Sequence, residues 1–124
     1  MKLITKAIFC SLMFITGTAS ADFLHPLDFD DSDAQKEKVV SIIKESTRQT
    51  YCKSGVDLCQ ASTLRMMENN EMKAFKKLTT ATDRKLMDQV IATYCKGPVD
   101  MCNYSTISMM YNNEMKASQK ELTW

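Results

Sequence analysis

The chain has 124 residues, 44% of them hydrophobic, with 16 Lys and Arg against 15 Asp and Glu and a single histidine. A balance so near neutral, with the signs interspersed, provides no electrostatic footprint for nucleic acid. Three glycines and one histidine leave little material for a phosphate cradle, a metal cluster or a base-activated nucleophile, so no cofactor and no metal is expected and the chain reads as a non-enzyme.

Residues 1–21 read as an export signal that is removed. Lys2 and Lys6 supply the positive start, Ala7 to Ile15 a short apolar stretch that includes Cys10, and Ala19-Ser20-Ala21 a small-residue cleavage site. That stretch is too short to cross a bilayer, and no later segment approaches the roughly 20 apolar residues a spanning helix needs. Without Lys2 and Lys6 the remainder carries 14 Lys and Arg against 15 acidic residues, a net charge of −1. About 100 residues make one domain with a modest core that benefits from covalent staples. The expected location is the bacterial periplasm, with the extracellular space second.

Residues 22–34 form an acidic arm in which Phe23, Leu24, Leu27 and Phe29 alternate with aspartates; Pro26 argues against a helix there. The arm either docks on a basic, partly apolar groove of a partner or packs across the domain as a tether. Ser32 with Gln35 predicts a capping box that opens a helix over Gln35–Tyr51, with Val39, Val40, Ile42, Ile43, Thr47 and Tyr51 on one side. Ser54-Gly55 ends it. Asp57, with Gln60 behind it, caps a second helix from about Leu58 to Leu78, whose apolar face holds Leu64, Met67, Ala74, Phe75 and Leu78. Thr82 or Asp83 caps a third helix carrying Leu86, Met87, Val90, Ile91 and Tyr94, closed by Gly97-Pro98. Asp100 and Asn103 repeat the Asp57 and Gln60 arrangement ahead of a fourth helix, about Met101 to Lys120, with Ile107, Met110 and Ala117. Val56 and Val99 stand where they can staple onto Ala61 and Tyr104. No segment alternates at period two for long enough to make a sheet. The expected fold is all-α: two helical hairpins, about 35–80 and 81–124, closing on one another as a four-helix array.

The hairpins are copies. Residues 51–80 and 94–123 align without a gap and agree at 18 of 30 positions, including both cysteines of a C-x6-C and the run Asn-Asn-Glu-Met-Lys-Ala. Four cysteines remain after the signal, so two disulfides are the default in an oxidising compartment. A duplicated unit most simply carries its own staple, Cys52–Cys59 and Cys95–Cys102; pairing 52–95 with 59–102, or 52–102 with 59–95, would staple hairpin to hairpin, and spacing leaves these open. A zinc site would show closer cysteine spacing or histidines, and a redox site C-x-x-C.

Some repeated residues have no evident packing role. Glu71 and Glu114 fall inside the apolar arcs of their helices, so each is either paired within the fold, to a Tyr hydroxyl or a Lys, or open to a partner. Asn69, Asn70, Asn112 and Asn113 beside them are candidate recognition groups. The two glutamates would serve as acid and base only if one cleft held both. Met66 and Met109 lie off the main apolar stripe and suit an adaptable contact, whereas a methionine copper site would require M-x-x-M or a His-Met cluster. Lys53 and Lys96 tip the two stapled turns, which lose little entropy on binding. Tyr111 stands where the first copy has Glu68, and Ser108 where it has Arg65, so one copy can bind while the other supports.

The Ala19-Ser20-Ala21 signal, the helical make-up, the paired cysteines and the size of about 100 residues together resemble the small periplasmic immunity proteins that neutralise type VI secretion toxins attacking the cell wall. The resemblance implies a protein that plugs a toxin's or cell-wall hydrolase's active-site cleft, frequently as a homodimer. Two other readings fit the same features: a periplasmic stress chaperone exposing a methionine-rich surface, and a structural or adhesive accessory protein.

Overall fold

Three of the four helices begin where a short polar side chain accepts a leading backbone N–H. Ser32 Oγ accepts from Gln35 N at 3.3 Å and opens α1 (Asp33–Cys52). The other half of the expected box goes elsewhere: Gln35 Oε1 accepts from Asp30 N at 2.7 Å. Asp30 in turn accepts from Ser32, and those bonds hold its carboxyl below the usual range. Asp83 Oδ1, bonded to Leu86 N at 2.9 Å, opens α3 (Arg84–Cys95), and Asn103 Oδ1, bonded to Thr106 N at 2.8 Å, opens α4 (Tyr104–Ser118). The exception is α2 (Ala61–Leu78), whose N-cap Gln60 makes no side-chain cap bond. This computed structural model describes residues 23–53, 58–97 and 101–124, and among them there is no strand.

Two helix starts differ from expectation. α2 begins at Ala61 rather than Leu58, and α4 at Tyr104 rather than Met101, so Asn103 is the cap expected at Asp100. In the second unit the cause is visible. Met101 N donates to Tyr94 O at 3.3 Å, and Cys102 is bonded to Cys95 with 4.5 Å between their Cα atoms. Residues 101 and 102 are therefore held against the end of α3 and cannot take helical turns of their own. The first unit is stapled the same way, Cys52 to Cys59, which settles the pairing as one disulfide per unit. Gly97 is required by close approach, since a Cβ there would stand 2.5 Å from the Thr93 carbonyl oxygen. The export signal, Ser54-Gly55, Val56, Asp57, Pro98, Val99 and Asp100 lie outside the described residues.

The helices pack in the spatial order α1–α2–α4–α3, so α2 and α4 form the main helix contact between the hairpins. Val39 and Ile43 from α1, Phe75 and Leu78 from α2, Met87, Val90 and Ile91 from α3, and Tyr104, Ile107 and Tyr111 from α4 make the core. Of the predicted faces, Val40 is partly open and Ala117 is exposed; the rest are buried or half-buried. Tyr104 is the hub. Its ring lies 4.8 Å from Phe75 and 5.0 Å from Phe23, and its hydroxyl donates to the Leu24 carbonyl at 3.0 Å.

The acidic arm is a tether. Pro26–Asp28 form a single 3-10 turn with Pro26 at the first position, where a missing N–H costs nothing. Phe29 meets Phe75 edge-on at 5.2 Å, and Asp28 pairs with Arg84 at 2.7 Å. His25 accepts from Leu27 N through Nδ1, so its Nε2 carries the proton that bonds Asp88 at 2.8 Å. These contacts cross both units and add the arm's phenylalanines to a core that would otherwise be thin for this length.

The joint has a direction. Glu71 of α2 meets the first residue of α4, while Lys77 and Leu78 share a groove with Ser108, Tyr111 and Met115 further along α4. α4 therefore runs beside α2 in the same sense. Tyr104 is the counterpart of Ala61, so α4 starts about ten positions down its neighbour. A two-fold would oblige Glu114 to meet Ala61 in return; Glu114 instead lines a groove with α3, and Ala61 is exposed. The copies are related by a staggered, one-way displacement rather than by a closed pairing.

Replacing either disulfide pair by serines (C52S/C59S or C95S/C102S) should lower unfolding free energy by about 2.5 kcal/mol in urea titrations, because each closes a loop of similar length. Burial, aided by Glu71, also raises the Tyr104 phenol well above the ordinary 10.0. A group whose folded value is raised contributes stability that is complete below pH 10 and lost as the pH climbs beyond it. Urea midpoints of the wild type should therefore fall more steeply above pH 10 than those of Tyr104→Phe.

Candidate functional site

The repeated Asn-Asn-Glu steps do not converge on one cleft. Glu71 faces the groove between α1 and α2, and Glu114 the groove between α3 and α4. No acid–base pair is assembled from them.

Glu71 has a structural partner of a kind the sequence did not suggest. Its Oε2 accepts from Tyr104 N at 2.7 Å and its Oε1 from Ser105 N at 3.2 Å. With Asn103 serving Thr106, the first three N–H groups of α4 are all satisfied by side chains. The carboxylate also sits at the positive end of the α4 dipole, where negative charge is stabilised. The expected Tyr hydroxyl or Lys partner is thus replaced by a helix start. The groove it belongs to, about 370 Å³, is walled by Thr47, Thr50, Tyr51, Met67 and Asn70 and covered by the α4 start.

Glu114 is exposed and lines a groove of about 270 Å³ with Gln89, Val90, Thr93, Tyr94 and Met110. Tyr111, expected as a binding residue, is 7% exposed; its hydroxyl accepts from Asp83 N at 3.1 Å and helps to fix the turn into α3. It is a joint residue, and it is buried because α4 must seat against Leu78. Asn112 is half-buried in the same joint, lining the groove with Tyr111 and Leu78. Asn69, Asn70 and Asn113 are exposed, as are Lys53 and Lys96, which follow the last turns of α1 and α3. Met66 and Met109 are 53% and 56% exposed, in keeping with their places off the apolar stripe.

A third, apolar groove of about 500 Å³ was not foreseen. Phe29, Val39, Val40, Met72 and Phe75 form its floor and Lys36 and Lys76 its edge. It exists because the arm lies across α2 beside α1, a placement that helix periodicity cannot reveal. Among the described residues no cluster of His, Cys, Asp or Glu has metal-ligand geometry, and no helix is long and apolar enough to cross a membrane. No family model, curated protein or solved structure matches the chain.

The two glutamates, identical in sequence, should separate cleanly by mutation. Glu71→Gln should cost about 1–3 kcal/mol in chemical denaturation, because it removes a charge-assisted pair of bonds at a helix start. Glu114→Gln, at an exposed position, should stay within about 0.5 kcal/mol of the wild type.

Proposed function

We propose that the protein is a periplasmic binding protein, not an enzyme, that neutralises a toxin or cell-wall hydrolase by plugging its active-site cleft, as in type VI secretion immunity. The observation that carries this reading is the matched exposure of Met66 and Met109. Both occupy the same step of their units, both are more than half exposed, and neither is used in packing. Methionine at such a site presents an apolar, adaptable contact at low strain. Other groups that packing leaves open are Asn69, Asn113, Lys53 and Lys96.

The frame behind these groups supports the same reading. A helical core held by two disulfides and an aromatic tether presents its surface with little left to order on binding. Two disulfides suit an oxidising compartment, and the Lys2, Lys6 and Ala19-Ser20-Ala21 pattern suits export to the periplasm. A second reading, a stress chaperone, draws on the same two methionines as a surface for many clients.

The purified chain should inhibit one hydrolase stoichiometrically, and the double variant Met66→Asp/Met109→Asp should lose at least about 100-fold of that inhibition while stability changes by less than about 1 kcal/mol. Suppression of aggregation across unrelated clients, with no inhibited hydrolase and no sensitivity of deletion strains to their siblings, would favour the chaperone reading instead.

A further inference from the structure

The 43-residue offset between the units carries the first groove onto the second. Thr50, Tyr51, Met67 and Glu71 become Thr93, Tyr94, Met110 and Glu114 with no change of residue type, while Ser46 and Thr47 become Gln89 and Val90. The first groove holds a helix start: Glu71 takes the Tyr104 and Ser105 N–H groups, and Ser105 and Thr106 line the wall. Among the described residues, no segment of the chain is seated on the second.

The same offset names what would fit there. The counterpart of the α4 start is the start of α2, and among the described residues nothing covers that start. Leu58 to Ser62 are all exposed, whereas Tyr104 is buried and Asn103, Ser105 and Thr106 are half-buried. Gln60 contributes no side-chain cap, and among the described residues no other side chain gives α2 the acceptors that α4 has. Ser62 and Thr63 repeat Ser105 and Thr106. A one-way stack of two units thus ends with a carboxylate groove at one end and an exposed helix start at the other. Each is half of an interface the chain already makes once internally.

We infer that the α3/α4 groove binds the start of α2 from a second copy of this chain, with Glu114 accepting the N–H groups of Ala61 and Ser62 as Glu71 does those of Tyr104 and Ser105. The contact is heterologous, head to tail, and therefore builds short directional stacks or a ring rather than a two-fold dimer. It is weaker than the internal joint. Ala61 replaces Tyr104, Ser118 replaces Phe75, and Glu121 replaces Leu78, so the aromatic anchor is missing and the ends are polar, as in end units of repeat arrays. An association with Kd on the order of 0.1–1 mM is what a capped groove without its anchor sustains. Nothing in it depends on toxin binding.

The test is sedimentation equilibrium of the disulfide-intact chain at concentrations up to about 1 mM, covering the Kd range above. The wild type should associate, and Glu114→Gln should weaken association roughly tenfold with its helical circular dichroism unchanged. Restoring the residues of the first unit, S118F/E121L, should tighten association at least roughly tenfold, and adding Glu114→Gln should reverse that gain. The inference is overturned if both the wild type and S118F/E121L remain monomers. It is equally overturned if association ignores Glu114→Gln, if cross-linking shows a two-fold dimer, or if Glu114-dependent binding is found only for a foreign helix.

Discussion

The carboxylate of Glu71 on the first turn of α4 is the constraint from which the arrangement of the molecule follows. It fixes where the second unit begins along the first, and the stagger then decides which half of each helix is buried. α2 gives the joint its C-terminal half, with Phe75 and Leu78; α4 gives its N-terminal half, with Tyr104, Ile107 and Tyr111. Equivalent positions in the two units thus have different environments. A buried carboxylate without donors would be expensive, and one that receives two backbone N–H groups at a helix start is instead stabilising.

This explains where the copies have diverged. Phe75 and Ser118, Leu78 and Glu121, Ala61 and Tyr104, and Glu68 and Tyr111 are aligned pairs, and in each the member with the larger apolar or aromatic side chain is the one at the joint. Ser118, Glu121 and Ala61 face solvent, and the half-buried Glu68 pairs with Arg65 at 2.6 Å. A one-way joint uses one half from each unit, and the unused halves carry Ala61, Glu68, Ser118 and Glu121. The residues that stayed identical fall into two classes. Cysteines lock corners in both units, whereas Glu71 and Glu114 have the same identity and different work.

Much of the fold was legible because its causes are local. Ser32, Asp83 and the C-x6-C corners act within a few residues, and the apolar spacing of α1 and α3 locates Val39, Ile43, Met87, Val90 and Ile91 without further information. The helix start at Tyr104 was misplaced because a disulfide and the Met101–Tyr94 bond outweigh a favourable capping residue, and the start at Ala61 follows a corner stapled in the same way. Tyr111 was misread for a related reason. A tyrosine in place of a glutamate signals a surface difference only when one does not know which face the other unit covers. The divergent pairs themselves held that signal, since aromatic gain at Tyr104 and Tyr111 marks the covered side of α4. The arm's apolar groove depends on long-range placement of Phe29 and carries no local signature.

The central claim is that one glutamate satisfies a helix start while its twin does not. Amide hydrogen exchange in dilute solution reads this directly. The account predicts that the Tyr104 and Ser105 amides exchange slowly, through openings of the joint, while those of Ala61 and Ser62 exchange as freely as exposed chain. Equal protection at the two helix starts, whether high or low, would contradict it.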